Sequence, residues 1–512
     1  MVTHNENRIY IFFKYFSFFL IPIYLDAQVE KKIPDDKYGI AYDAVFENMH
    51  YNQPFRPQIH YTPITGQIAD ATGLILYKGT YHIFYMYDEW SRRRKFNKSW
   101  GHAVSHDLIF WEQRPQILNT RLDNAPGSGS GIVDWNNTLG LQRGVEKTLA
   151  VFYTDYGRGT SISFSQDAGN TWIRHKNNPV IPMPEGRADR DAKVFWYKPD
   201  QSWRLVLYEP PGFSFYKSTN LLKWEKISEI EGFHECPDFI EISVDGNDNV
   251  KKWVLVDGNG QYRIGDFDGT HFKSQMGNTT VNYGSGYATQ TWSHSYEGDG
   301  PFYQMSFIDE KETHDRTWSQ QQSFPVELEL NTIDGELKLC RTPVNAIKQL
   351  RYDHKTWLDV KVRPGVNPLK GIEGDVFEII AEIKPNKASE FGFDIRGEKI
   401  SYNVKDQTVS HRGAMDHKEL YNRPARKMEK VSLSMDENSM VKIHLIIDRS
   451  SIEAYFNRGE VSLTEKFYPE ENNRIISFYS KGGNSVIKAM DLYRLESIWL
   501  GREQELGYYR NQ

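Results

Sequence analysis

SHDLIFWE, residues 105–112, is where the fold becomes readable: a Ser, an Asp two residues on and then an aromatic close a strand. The order returns as SQDAGNTW at 165–172, as STNLLKWE at 218–225 with Asn for Asp, and more weakly as GDFDGTHF at 265–272. The closing aromatics are Trp111, Trp172, Trp224 and Phe272, so the pattern steps by 61, 52 and 48 residues.

A second element keeps the same beat, an apolar strand with an aromatic or Leu near its start. Its members are GTYHIFYMY at Tyr81, KTLAVFYTD at Leu149, SWRLVLYE at Trp203, KKWVLVDG at Trp253 and PFYQMSF at Phe302. A repeat of about 40–50 residues built from short strands is the signature of a β-propeller. Five copies predict five blades of about four strands each, over residues 53–345. After Ile347 the texture changes to alternating strands such as VFEIIAEIKP, EFGFDIRG, VKIHLIIDRSSIEAYF and IKAMDLYRL, separated by charged or Gly-bearing turns. That alternation predicts an antiparallel β-sandwich over 346–512, with no functional constellation of its own. The fold class is all-β, a five-bladed propeller followed by a sandwich.

Composition narrows the partners. A net charge of −6 argues against nucleic acid, which wants a basic face. Aromatics make up 14% of the 512 residues, which suits both a large β core and the stacking of sugars. The two cysteines, Cys236 and Cys340, form no disulfide framework and no zinc pattern, and read as buried free thiols. At the amino end, Arg8 and Lys14 accompany an apolar run from Tyr15 to Leu25, with Ala27 after it. The run is too short for a membrane span and reads as a signal peptide, residues 1–27, followed by a lead-in arm over 28–52. The expectation is a secreted or periplasmic protein with no membrane attachment after cleavage.

In a propeller the first strand of each blade lines the central axis, so equivalent residues of different blades converge. Blade one carries Asp70 in QIADATGLILY, 11 residues before Tyr81. Blade three carries Asp191 in ADRDAKVFWY, 12 before Trp203, and blade four carries Glu235 in FHECPDFIE, 18 before Trp253. Three converging carboxylates suit glycosidic cleavage: a nucleophile, a proton donor and a third group that holds sugar hydroxyls. Glu235, inside an apolar run, is expected to have a raised pKa, as a donor working near neutral pH requires. Ser128 and Ser130 in GSGSGIVDW and Gln290 and Trp292 in ATQTWS are candidates to touch the sugar, and Arg190 to orient a carboxylate. The basic cluster Arg92, Arg93, Arg94 and Lys95 reads as a solvated loop or as a contact to a decorated glycan.

In their order, RPQIHYTP, SWGHAVSHDLIFWE, SGSGIVDWNNT, the RD of ADRDAKVFWY, HECPDFIEI and SSIEAYFNRGE make the chain resemble glycoside hydrolase family 32, the invertase, inulinase and levanase group. The resemblance runs from about Arg56 to the C-terminus. It implies a retaining mechanism with Asp70 as nucleophile, Glu235 as acid/base and Asp191 as transition-state stabiliser, without a metal or organic cofactor. It also implies a substrate pocket that includes Trp100, Met86 and His234.

The departures from the family pattern are concentrated in that pocket. Where the family has WMNDPNG this chain has QIADATG, with Gln67, Ala69, Ala71 and Thr72 replacing Trp, Asn, Pro and Asn. Ala192 replaces the Pro of RDP, Met86 a Gln, Gly127 a Phe and His234 a Trp. Retention of the three acids amid these changes implies a re-cut sugar pocket. The expected function is removal of terminal β-fructofuranosyl residues from an oligo- or polysaccharide. A catalytically silent glycan-binding protein, which would bind sugar and release no product, is the alternative; so is a glycosidase for another furanosyl sugar, separable by product analysis.

Overall fold

Each Ser-Asx turn joins the third strand of a sheet to its fourth, and local hydrogen bonding explains why the sequence repeats. In the computed structural model Ser105 Oγ accepts the Leu108 N–H at 2.9 Å, and Asp107 Oδ1 accepts the N–H groups of Ile109 and Phe110 at 2.9 Å. Ser165 with Asp167 and Ser218 with Asn220 repeat the arrangement. A short polar side chain that satisfies the turn's own backbone is the residue type such a site selects.

The structure describes residues 51–89, 99–119, 125–293, 300–310, 317–413, 426–470 and 472–499. The predicted signal peptide, nearly all of the arm and the basic cluster at 92–95 lie outside the described residues. Among the described residues, blade one comprises Gly66–Tyr77, Thr80–Asp88, Ser99–Ser105 and Glu112–Ile117, paired antiparallel in that order. The inner strands of blades two to five are Pro126–Asp134, Arg190–Tyr197, Asp238–Val244 and Gly286–Thr291. Each is followed by the apolar second strand read from the sequence: Thr148–Asp155, Ser202–Glu209, Asn247–Val256 and Phe302–Ile308. Trp318–Ser319 returns from blade five to pair in parallel with Gly66–Gln67, which latches the last blade to the first.

Apolar side chains fill the wedges between blades: Phe84, Trp100 and Val151 between one and two, Ile132, Phe152 and Leu205 between two and three, Val206, Phe215 and Phe239 between three and four. Around the axis, polar bonds tie inner strand to inner strand. Thr72 Oγ1 donates to Gly129 O at 2.7 Å, and the Val194 N–H donates to Ser130 Oγ at 2.9 Å. Lys193 Nζ lies 2.7 Å from Asp238 Oδ1, which also accepts from Thr291 Oγ1 at 2.7 Å. The buried atoms named keep partners across the blades, as polar atoms withdrawn from water generally do, while Asp238 Oδ2 has no hydrogen-bond partner among the described residues.

Beyond Asn345 two further sheets pack face to face around a core that includes Phe377, Phe391, Phe393, Leu445 and Phe478. One runs Val461–Lys466, Ser451–Phe456, Val441–Asp448, Phe377–Lys384, Ser485–Leu495, Arg351–Val362; Asn282–Gly284 of the propeller adds to its edge. The other comprises Val431–Ser432, Thr408–Arg412, Glu398–Asn403, Glu390–Ile395 and Ile476–Lys481.

A buried ionic cluster joins the sandwich to the propeller. His60 is wholly buried, with Nδ1 2.8 Å from Asp448 Oδ2 and Nε2 3.1 Å from Glu453 Oε1. Burial alone would lower its pKa, but the hydrogen bonds and charges of the two carboxylates outweigh that and raise it to about 9. Asp448 also accepts the backbone N–H groups of Gln58 and Ile59, and Glu453 that of Phe324. The imidazolium's contribution is fully present below its ordinary pKa of 6.5 and is lost as pH rises through about 9. His60→Ala, which strands two buried carboxylates, should cost on the order of 3–5 kcal/mol near pH 6. Melting curves should also show the variant lacking the parent's loss of stability between neutral pH and the folded-state pKa. Unchanged melting at pH 6 would contradict this reading.

Candidate active site

Four of the five inner strands break register with their neighbour near their start. The irregularities fall between Ile68 and Ala71, Gly127 and Gly129, Arg190 and Lys193, and Tyr287 and Gln290. A bulge re-aims the residue it contains, and these contain Asp70, Ser128, Asp191 and Ala288. Asp191 sits at φ 65°, left-handed backbone that Asp tolerates better than bulkier residues. Glu235 comes from the segment leading into the blade-four strand, next to Cys236 at φ 50°. Blades one and three therefore deliver Asp70 and Asp191 by a shared backbone device, while Glu235 reaches the same end of the axis from the segment before its strand.

The three carboxylates meet there. The Cys236 thiol touches Asp70 Oδ2 at 3.7 Å and Asp191 Oδ2 at 3.5 Å, and the Cys236 N–H donates to the same Asp191 oxygen at 3.3 Å. Arg190 bridges the other pair: Nη2 is 2.6 Å and Nε 2.8 Å from Glu235 Oε2, while Nε is 3.6 Å from Asp191 Oδ2. The guanidinium stacks on Tyr208, 4.6 Å from its ring centroid. Ser128 Oγ donates to Asp70 Oδ2 at 2.6 Å and lies 3.0 Å from Met86 Sδ. His234 is half exposed, with Nε2 3.6 Å from Glu235 Oε1 and Nδ1 3.3 Å from the Tyr208 hydroxyl.

Electrostatics reverse one expectation. Burial pushes Glu235 up, but the Arg190 charge, a hydrogen bond from the Tyr287 hydroxyl and a second from Arg190 outweigh it, so its pKa is lowered. The carboxyl with a raised pKa is Asp191. It is wholly withdrawn from water and faces the Glu235 and Asp70 charges, and is pushed up to about 8 against the opposing pull of Arg190. Burial and the neighbouring acids likewise raise the Cys236 thiol, leaving it a neutral S–H.

Asp70, Asp191, Glu235, Arg190, Ser128, Met86 and His234 thus gather as the sequence led us to expect. Trp100, Ser130, Gln290 and Trp292 are buried and spend their polar groups on other parts of the chain. Trp100 is 0% exposed and gives its indole N–H to Gly127 O at 3.1 Å. Ser130 accepts the inter-blade bond described above. Gln290 Nε2 donates to Pro237 O at 3.1 Å, and Trp292 Nε1 donates to His82 O at 2.9 Å. All four serve packing or blade-to-blade cohesion, because an inward position on a closed propeller is core more often than rim. Tyr156, Tyr208 and Tyr287, which no sequence signal singled out, are the aromatic groups at the acids. Each comes from a blade other than that of the acid it serves or from a turn, so sequence adjacency does not reveal it.

A cavity of about 200 Å³ opens toward the other end of the inner strands, lined among others by Trp135, Trp196, Tyr197, Glu241, Trp292 and Phe302. It is distinct from the carboxylate cleft. Among the described residues, no three His, Cys, Asp or Glu side chains are arranged to hold a metal ion, and no helix is long and apolar enough to cross a membrane.

Comparison with known proteins places this geometry. Residues 60–343 match the model of the glycosyl hydrolases family 32 N-terminal domain, and residues 346–494 that of the family 32 C terminal. A levanase of Bacillus subtilis (strain 168) is 34% identical, the match covering 88% of this chain and 72% of the levanase. An extracellular exo-inulinase of Aspergillus awamori is 27% identical over 88% of this chain and 96% of its own. In fold, the crystal structure of exo-inulinase from Aspergillus awamori superposes with a TM-score of 0.79 at 24% identity, covering 88% of this chain and 100% of that one. The β-fructofuranosidase of Schwanniomyces occidentalis complexed with fructosyl-erythritol gives 0.75 at 22% identity, covering 87% and 99%.

The raised pKa of Asp191 has a measurable consequence. Its neutral carboxyl contributes stability that is fully present below 3.8 and is lost as pH rises through about 8. Asp191→Asn stays neutral throughout, so its melting temperature should climb relative to the parent's by a few degrees between pH 5 and pH 9. A constant difference across that range would contradict the assignment.

Proposed function

Because the chain belongs to glycoside hydrolase family 32, we propose that its cleft is the active site of a retaining fructosidase. The enzyme cleaves terminal fructosyl residues, as the levanase, exo-inulinase and β-fructofuranosidase relatives indicate. The observation that carries the site is the meeting of Asp70, Asp191 and Glu235 around Cys236 and Arg190 at one end of the inner strands. Residues 53–345 form the catalytic unit in this reading, with 346–512 as its companion. Residues 1–27 act as an export signal, in keeping with relatives described as extracellular.

In the first step an Asp70 oxygen attacks the anomeric carbon while the bond to the leaving oxygen breaks, and Glu235 gives that oxygen its proton. In the second, Glu235 takes a proton from water, whose oxygen displaces Asp70 and releases fructose with retained configuration. Ser128 fixes the rotation of the Asp70 carboxyl, and Asp191 holds ring hydroxyls as charge develops. The charges lining the cleft favour an ionised Glu235 and a proton on Asp191, whereas the first step needs Glu235 protonated. Sugar hydroxyls that engage Asp191 and Arg190 weaken the grip of the guanidinium on Glu235, so that binding substrate arms the donor.

Two sets of measurements check this. With levan or inulin, free fructose should be the first product, and its initial anomer should match that of the bond cleaved. Asp70→Asn and Glu235→Gln, folded as judged by circular dichroism, should each lose on the order of 10³-fold or more in kcat. Unchanged rates in both would remove the mechanism. The alkaline limb of kcat/KM reports the acid of the free enzyme, and the Tyr287 hydrogen bond favours its ionised form. Tyr287→Phe should therefore move that limb to higher pH by roughly one unit; a limb that stays in place would show that Glu235 is not the titrating acid.

A further inference from the structure

Gly127 stands where the family pattern has a Phe, and its surroundings say what has taken that ring's place. A Cβ built on Gly127 would lie 2.9 Å from Cε2, Cζ and Oη of Tyr156, closer than real Cβ contacts allow. The backbone at Gly127 is not in the left-handed region, so the absence of a side chain serves the neighbouring ring and not the chain's conformation. Beneath the same residue, the buried Trp100 indole donates to Gly127 O. The Gly127 backbone is thus clasped between two aromatic side chains, one in the core and one on the cleft side.

Tyr156 opens the turn that follows Thr148–Asp155. The turn is closed by the Arg158 N–H on Asp155 O at 2.9 Å and by an Arg158 to Asp155 ion pair at 2.8 Å. From there the ring reaches back over the inner strand of its own blade, one residue from the Ser128 that holds Asp70. Its phenol feels the charges of Asp191, Arg190, Asp70 and Glu235, so it lies within electrostatic range of the acids. The residue nevertheless remains 40% exposed, one of few large aromatics among the described residues that does. A rigid ring whose hydroxyl end packs on the Gly127 backbone beside Ser128, with part of its surface in water, is suited to the C–H face of a sugar ring.

We propose that Tyr156 is a specificity-determining wall of the pocket for the terminal furanosyl unit, its ring stacking on the sugar, with Gly127 kept bare to seat it. The proposal rests on the fructosidase reading and deepens it. An aromatic platform lost from the inner strand is supplied by a turn of the next strand, so the pocket is rebuilt around the same three acids. Neither an Asp nor an Arg at 156 would serve: a charged group would shift the balance among the carboxylates, whereas burial and the nearby Asp191 charge raise the phenol's pKa and keep it neutral.

The test compares Tyr156→Ala, Tyr156→Phe, Gly127→Ala and the Gly127→Ala/Tyr156→Ala double variant on a short fructan, with fructose as a competing inhibitor. Tyr156→Ala should raise both KM and the fructose inhibition constant on the order of 10-fold, with a smaller effect on kcat, while Tyr156→Phe keeps the ring and stays within about 3-fold of the parent. Gly127→Ala leaves the phenol intact but displaces it, and should resemble Tyr156→Ala. The double variant should be no worse than the poorer single one, because both changes act through the same ring. Unaltered KM and inhibition constant in Tyr156→Ala, a Tyr156→Phe variant as weak as Tyr156→Ala, or multiplying effects in the double variant would each overturn the proposal. A parent protein that hydrolyses no fructan would instead overturn the fructosidase reading. In that event fructose titration calorimetry on the parent and Tyr156→Ala still decides the wall: equal affinities overturn it, and a loss confined to the variant supports it.

Discussion

The Arg190 guanidinium lies between Glu235 and Asp191, and the electrostatics of the cleft follow from it. Three acids gathered around one sugar's width repel one another; a pair of unit charges 4 Å apart interacts by about 4 kcal/mol at the effective dielectric typical of protein surfaces. Arg190 answers that repulsion unevenly. It makes two close contacts with Glu235 and one longer contact with Asp191, so it holds Glu235 as the anion and leaves the more deeply buried Asp191 to keep a proton. Its stacking on Tyr208 and its place beside a bulge fix the direction in which the charge is presented.

That precision depends on the frame. Inner strands tied to one another by Thr72, Ser130, Lys193, Asp238 and Thr291 cannot slide along the axis without breaking buried polar bonds, each costly to leave unmade. Bulges at matching positions then tilt Asp70 and Asp191 into the cleft while the rest of each strand continues its ladder. The sandwich adds a second clamp through His60, Asp448 and Glu453, where a buried imidazolium links the entry to blade one with two strands of the far unit. Removing one partner of such a cluster leaves uncompensated charge in the core, so the two units are coupled by more than apolar contact.

The repeat was legible because its signals are local. A Ser and an Asp or Asn that cap their own turn leave the same trace in three blades and a weaker one, without the Ser, in a fourth, and alternation of apolar residues marks the second strands. The acids could be found once the beat was known, since Asp70 and Asp191 keep nearly the same distance from it. What sequence could not supply is direction. The order of pKa values turns on where Arg190 points, and the local apolar setting of Glu235 suggested the opposite shift. Trp100 and Trp292 have the composition of sugar platforms but the depth of core residues, while Tyr156 and Tyr287 come to the acids through turns and bulges. His60 and its carboxylates lie nearly 400 positions apart in sequence, so no window of the chain shows them together.

The central claim is that side chains from blades one, three and four act on one sugar unit. It is tested most directly by a crystal structure of the Glu235→Gln variant soaked with a short fructan. The account predicts a terminal fructosyl ring in the cleft, an Asp70 oxygen roughly 3–3.5 Å from the anomeric carbon, Asp191 on its hydroxyls and the residue at 235 on the leaving oxygen. A sugar bound elsewhere, or one in the cleft with Asp70 and residue 235 on the same side of the scissile bond, would contradict it.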